Sequence, residues 1–525
     1  MRIALISREY PPDTGWGGIG AYTYQHAHSL AALGHEVHVI CLTKKEVLSN
    51  PPLSMDGAVH VHRSTWTNLL SQFALIASTN SNTHHVLKAT LALWQKLFSL
   101  HEEKPFDVLE APDHLAEGIF PALTRIAPLV VRLHTPHSKF VAERYHNLEA
   151  NFDNLTVGNL ERLAMTEANL LSAPSIDIAR YVATDTGIRL EDIEIVRNPV
   201  NITKFNPQGE KAIVKFAAAQ SDNEKIVYFA GRLEARKGIH YLVDAVPQII
   251  KTCPEARFVI VGADTNTGPG GSSVMATLKE KLAREGGQEA IDRVLFVSHV
   301  PLNDMPNYYR LADVCVVPSL YDNAPYTVLE ALASGKPVIA STAGGTPEYV
   351  EVEVDGLHIP KEDSSALAKA VIEILKNDDK RKSFSTKARE IAENQYATEV
   401  IARQAVKTYE KAIERYNRGT QEPIYKKPPS MLAADLDYFL ATYNSNLAGL
   451  APLKAFRLNM RPWISMFFTR PKLFIASLTL GICKSTLGLF KVPPKKLSSF
   501  ALKLEEQVRA KQLQVDDSAK QSQPT

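Results

Sequence analysis

The sequence predicts an α/β protein built from two doubly wound domains in tandem that face each other across a cleft, followed by a basic helical C-terminal extension. Three observations predict it. Short apolar runs alternate with amphipathic helical stretches, the pattern of parallel strands joined by crossover helices. The runs fall into two sets, separated by residues 198–222, a stretch with Pro199 and Pro207 and no clear period. The charge is also divided: residues 451–525 carry 13 Lys/Arg against 4 Asp/Glu, a net of +9, so residues 1–450 carry −7 within a formal total of +2.

At 525 residues the chain has room for two or three domains, and 45% apolar with 22% charged residues is ordinary for a globular protein. The first set of strands comprises IALIS (3–7), VHVICL (37–42), DVLEAP (107–112), LVVRLH (129–134) and NLLSAPS (169–175). The second comprises KIVYFAGRL (225–233), RFVIVGA (257–263), VLFVSHV (294–300), DVCVVPS (313–319) and KPVIAST (336–342). The expected divisions are 1–200, 208–393, a helix at 394–417 that closes the second domain, and an extension at 420–525. Residues 44–104 form a long excursion with a helix at 86–100 and no recognisable chemistry. The four cysteines are far apart and show no CxxC spacing, which argues against a disulfide framework or a structural zinc. The first apolar run breaks at Arg8, Glu9 and a proline pair, so it reads as a strand rather than a signal peptide, and a cytoplasmic location is expected.

In doubly wound folds ligands sit outside the carboxyl ends of the strands, so the motifs at those ends carry the chemistry. GWGGIG at 15–20 matches GxGxxG literally and precedes a helix. A dinucleotide fingerprint would need glycine directly after the strand and an acidic residue closing the second strand; this sequence has neither, which argues against an NAD(P)-dependent oxidoreductase. The better reading is a loop whose amides, Gly17 and Gly18 among them, approach an anionic or sugar ligand at a helix N-terminus. GRLEARKG at 231–238 sets Arg232 and Lys237 in a turn flanked by Gly231 and Gly238, and two cations at a strand end suit a diphosphate. In the third motif, at 319–350, Asp322 precedes Glu330 by eight residues. Glu330 is expected in a first helical turn, where a carboxylate is locally stable and can accept the hydroxyls of a ribose. Gly344 and Gly345 follow the next strand and can present amides. Singly, Glu330 reads as a helix charge and the basic turn as a solvated one; together the motifs are far more specific.

With these motifs the chain resembles a family 4 retaining glycosyltransferase of the GT-B fold, two Rossmann-like domains, over roughly residues 1–417. The resemblance implies that Arg232 and Lys237 hold the donor phosphates and Glu330 the ribose. It also implies that the amides around Gly344, Gly345 and Thr346 contact the sugar or its phosphates, and that His134 lies near the transferred sugar. Glu110 and Asn198 match less sharply defined positions and are cleft-lining candidates. One departure stands out: the family's first acidic position is usually Glu and here it is Asp322, one methylene shorter, which bears on donor identity. The expected activity is metal-independent transfer of a hexose from a nucleotide-sugar to a glycan or lipid-linked acceptor with retention, needing no cofactor. Same-face attack would pass the acceptor's proton to the departing phosphate. An inactive nucleotide-sugar-binding relative is the alternative, with Asp322 its only support.

Residues 451–500 hold nine Lys/Arg and no acid, with Trp463, Phe467, Phe468 and Phe474. The apolar run at 473–483 is too short to span a membrane. An interfacial helix on anionic lipid is the first reading, and a helix packed on protein the second. Peripheral attachment to the inner face of a membrane is therefore expected. No nucleic-acid-binding module is recognisable.

Overall fold

The computed structural model describes residues 1–12, 14, 17–43, 53–65, 81–142, 151–217, 223–298 and 300–419. Gly15, Cys483 and the entire expected extension at 420–525, with its membrane-facing stretch, lie outside the described residues.

The first sheet has eight strands: β1 Arg2–Ile6, β2 Glu36–Leu42, β3 Leu53–Asp56, β4 Val59–Ser64, β5 Val108–Pro112, β6 Leu129–Arg132, β7 Leu170–Ala173 and β8 Ile193–Ile195. Their order is β3-β4-β2-β1-β5-β6-β7-β8, all parallel except the β3–β4 hairpin. The second sheet has six: β9 Lys225–Ala230, β10 Ala256–Val261, β11 Val294–Val297, β12 Val314–Val317, β13 Val338–Ser341 and β14 Gly356–Ile359, in the order β11-β10-β9-β12-β13-β14. Each strand run read from the sequence is one of these strands. Four more were not read: β3 and β4 inside the excursion, β8 and β14. In each sheet the strand order reverses once near the middle, between β1 and β5 and between β9 and β12. Those switch points open the crevices where doubly wound sheets bind ligands.

Strands buried on both faces explain the apolar runs. In β1, Ala4 and Ile6 join the core that includes Trp94 and Leu97 of the helix Ser81–Glu103, while Ile3 and Leu5 join the core on the opposite face. That opposite face is covered in part by the last helix, Thr398–Arg418, whose Ile401, Ala402, Ala405, Tyr409 and Ala412 recur at helical spacing. The expectation that this helix closes the second domain is corrected: it packs on the first. The chain leaves the first domain at Asn198–Val200 and returns beside itself, with Val200 N–H donating to Tyr396 O at 2.8 Å and Val200 bridging Ala397. The two crossings run side by side.

Candidate active site

On the second domain, the turn after β9 carries Gly231, Arg232, Arg236, Lys237 and Gly238. Gly238 has φ +66°, and a Cβ there would fall 1.9 Å from Pro318 O, so only glycine lets this turn lie against the end of β12. The contact brings Lys237 Nζ to 2.5 Å from Asp322 Oδ2 and Arg236 Nη1 to 3.8 Å from Asp322 Oδ1. Burial acts to raise the Asp322 pKa, but Lys237 and Arg236 outweigh it and hold the group below its ordinary value, so Asp322 stays ionised. Arg232 reaches outward, 59% exposed, with Nη2 3.4 Å from Glu234. Arg236 is a site residue that the sequence reading missed; the signal was its place between Arg232 and Lys237 in the same turn.

Glu330 lies on the helix Tyr326–Ala333, whose N-cap is Pro325. It is the fifth helical residue, which corrects the first-turn expectation: the helix starts at the residue after a proline, whose fixed φ suits the entry to a helix. Its Oε2 accepts from Tyr309 Oη at 2.7 Å. Burial pushes its pKa up to about 7, although Tyr309 and Lys204 act to lower it. A carboxyl poised at neutrality can accept or share hydrogen bonds with a diol.

The turn after β13 behaves differently from the expectation. Gly345 N–H donates to Asp322 O at 3.0 Å and Thr346 N–H to Ala343 O at 3.3 Å, and Thr346 is fully buried. These two amides therefore serve the turn and not a ligand. The turn itself is a domain contact. A Cβ at Gly345 would fall 2.5 Å from Ser175 Cβ of the first domain. Glu348 accepts from Ile176 N–H at 2.8 Å and Asp177 N–H at 2.9 Å, capping the helix Ile176–Thr186, and pairs with Arg197 at 2.7 Å. Tyr349 Oη donates to Pro174 O at 2.7 Å. Asn323, between Asp322 and the helix, bonds the Ser175 hydroxyl and the His134 carbonyl. Asn323, Glu348 and Tyr349 were not foreseen, because each partner lies more than 140 residues away in sequence.

On the first domain, His134 stands at the end of β6. Its N–H donates to Asp113 Oδ1 at 2.8 Å, and Tyr22 meets its ring edge-on at 5.2 Å. Burial, then Arg132 and His114, drive its pKa well below the ordinary value, so the imidazole is neutral. Gly17 caps the helix Gly18–Ala32, but Glu9 Oε2 accepts from Gly20 N–H at 3.1 Å. A carboxylate of the chain itself thus engages the helix end where Gly17 and Gly18 were expected to meet a ligand. Glu110 and Asn198 are 6% and 4% exposed, and Glu110 lines a small cavity with Tyr22, Arg132 and His134. Glu110 accepts from Tyr22 Oη at 2.9 Å and Tyr409 Oη at 2.7 Å, and Asn198 Oδ1 accepts from Arg132 at 2.8 Å. They form a buried polar layer beside His134 and the paired crossings.

Facing switch points, a cation-lined turn, a buried carboxyl near neutrality and a neutral histidine across the domain boundary are the parts of a GT-B glycosyltransferase. Residues 210–391 match the family model for glycosyl transferases group 1, and residues 16–204 match that for glycosyltransferase family 4. A D-inositol 3-phosphate glycosyltransferase of Corynebacterium urealyticum is 31% identical over 433 residues, covering 78% of this chain and 95% of that one. A glycogen synthase of Mycobacterium tuberculosis is 25% identical, covering 82% and 98%. In structure, a sucrose-phosphate synthase from Thermosynechococcus elongatus is similar at TM-score 0.62 and 24% identity, covering 79% and 99%. Anabaena HepE in complex with UDP and glucose is similar at TM-score 0.56 and 21% identity, covering 78% and 99%. The chain belongs to glycosyltransferase family 4. Among the described residues, no helix is long and apolar enough to cross a membrane.

Proposed function

We propose that the protein transfers a hexose from a nucleoside-diphosphate sugar to a glycan or lipid-linked acceptor, with retention and without a metal. The observation that carries this reading is the pairing of Lys237 and Arg236 with Asp322 beside the outward Arg232, at the switch point of the second sheet. Breaking the bond from sugar C1 to phosphate oxygen leaves charge on the diphosphate, and preorganised cations stabilise that charge most where it develops. Arg232 and Lys237 supply it. Asp322, held ionised by Lys237 and Arg236, offers a carboxylate to a sugar hydroxyl, and Glu330 with Tyr309 reads the ribose. The acceptor oxygen bonds to C1 from the face the phosphate leaves, and its proton passes to the departing phosphate oxygen. The neutral His134 contributes a hydrogen bond that orients the sugar and no proton.

Thermal stabilisation by a panel of UDP-, GDP- and ADP-sugars tests donor binding, because a ligand that binds only the folded state raises apparent stability. Binding followed by product formation supports the proposal; binding without product across a wide acceptor panel supports the inactive alternative. The proposal also places the protein peripherally on anionic membrane through residues 451–500. Removal of residues 451–525 should abolish sedimentation with anionic vesicles and spare donor binding; continued sedimentation would refute that part.

A further inference from the structure

Asn323 follows Asp322 in the loop after β12 and is buried where that loop meets the first domain. Its Nδ2 donates to the His134 carbonyl, and its Oδ1 accepts from the Ser175 hydroxyl. The orientation of the amide is forced: a carbonyl only accepts, so Nδ2 faces His134 and Oδ1 is left for Ser175. Ser175 in turn accepts the Ile178 N–H at 3.3 Å, as cap of the helix Ile176–Thr186, and its hydroxyl proton goes to Asn323. Asp has the same length as Asn but, ionised, only accepts.

The loop is tied on both sides of Asn323. The Asp322 carboxylate pairs with Lys237 and its carbonyl accepts from Gly345 N–H, both within the second domain. Ala324 O accepts from Asn198 Nδ2 at 3.3 Å, and Asn198 is held by Arg132 of β6 at 2.8 Å. His134, two residues past β6, has its N–H bonded to Asp113 and its ring edge-on to Tyr22. Asn323 completes the connection from β6 to the loop, because it touches the main chain of His134 and is the sequence neighbour of Asp322. The partners do not depend on it for satisfaction. The His134 carbonyl also accepts from Thr135 Oγ1 at 2.7 Å, and Ser175 keeps its capping bond. Removing a bond whose partners stay satisfied costs little stability, so the effect of this one falls on position.

We propose that Asn323 is a positioning residue for the transferred sugar: by tying the His134 main chain to the loop of Asp322, it sets the spacing between the two side chains that flank the sugar. The inference rests on the transferase reading above, in which His134 and Asp322 meet the sugar from the first and second domains. A displacement of about 1 Å in such a pair is enough to cost about 100-fold in rate. The nucleoside diphosphate, which Arg232 and Lys237 hold on that reading, does not depend on this spacing.

The test separates the sugar from the nucleotide. On the full chain, titration calorimetry compares UDP with UDP-glucose, GDP with GDP-mannose and ADP with ADP-glucose. The variant is Asn323→Leu, which keeps the size of the side chain and removes both hydrogen bonds. For the pair that wild type binds, it should weaken the nucleotide-sugar by about five- to tenfold, the fold-change of one hydrogen bond, and the bare nucleoside diphosphate by less than about twofold. In the His134→Ala background, where no imidazole remains to be positioned, Asn323→Leu should add less than about twofold. If Asn323→Leu does not fold, Asn323→Ser, which can donate but is too short to span both partners, serves in its place with the same split expected. Unchanged binding of both ligands, equal weakening of both, or the same weakening of the nucleotide-sugar with and without the His134 imidazole would overturn the inference. Equal weakening is what a purely structural role in docking the domains gives. A wild type that binds no nucleoside diphosphate and no nucleotide-sugar would refute the transferase reading, and the positioning role with it.

Discussion

Replacing Glu348 by Gln separates two roles for the turn after β13. The resemblance reads that turn as donor-contacting; the structure makes Glu348 a clamp between domains. Its carboxylate accepts two N–H groups from the start of the helix Ile176–Thr186 and an N–H of Arg197. Both charged side chains are shielded, at 19% and 22% exposure. Gln keeps one acceptor oxygen but loses the ion pair and turns an N–H₂ toward donors. One lost charge-assisted hydrogen bond and the lost interaction with the helix N-terminus together cost about 2–4 kcal/mol. For a domain of this size, that is roughly 5–15 °C in unfolding temperature. Differential scanning calorimetry should show the fall, with the transitions of the two domains moving apart as their contact weakens. A variant melting within about 1 °C of wild type, with weakened nucleotide binding, would refute the clamp and restore the donor-contact reading.

Lys237→Met should weaken nucleoside diphosphate binding by about 10- to 100-fold, the value of one charge-assisted contact, as measured by titration calorimetry. Burial raises Asp113, Glu117, Glu330 and Asp355 to about 7, 8, 7 and 7, so the folded chain holds protons that the unfolded chain has released. Their stabilisation is complete below the unfolded carboxyl pKa and is lost as pH rises through the folded values. His38 and His62, lowered to about 4 by burial, contribute the opposite slope, present above the ordinary histidine pKa and lost as pH falls toward 4. Urea midpoints should therefore fall from about pH 6.5 to 8.5, and Asp355→Asn should flatten that fall; an unchanged slope would refute the assignment. Tyr409→Phe leaves Glu110 and His26 each short of a partner and should cost about 1–3 kcal/mol in urea unfolding, with no loss meaning that the buried layer is not closed by the last helix.

The sheets were legible because strands buried on both faces read as continuous apolar runs. β3 and β4 were not: histidines alternate through VHVHRS of β4, and the His60 and His62 rings stack on His38 of β2, at 4.5 and 5.1 Å. β14, GLHI, was hidden by its leading glycine and its histidine, which leave no apolar run. At the site, the sequence placed Lys237 and Asp322 in one constellation because their motifs each sit at a strand end, and the topology makes those ends neighbours. It set Glu110 among the cleft candidates, and Glu110 does line a cavity with His134; its bond to Tyr409 was not legible, because the two are 299 residues apart in sequence. The direction of the last helix was equally illegible: its apolar stripe fits either sheet, and only the pairing of Val200 with Ala397 sends it back to the first.

The measurement that bears most directly on the account is the anomeric configuration of the product, read by NMR on the full chain with the best-binding nucleotide-sugar and excess chelator. The account predicts product with the donor's own configuration, formed at an unchanged rate when divalent metal is removed. An inverted product, or transfer abolished by the chelator, would contradict it.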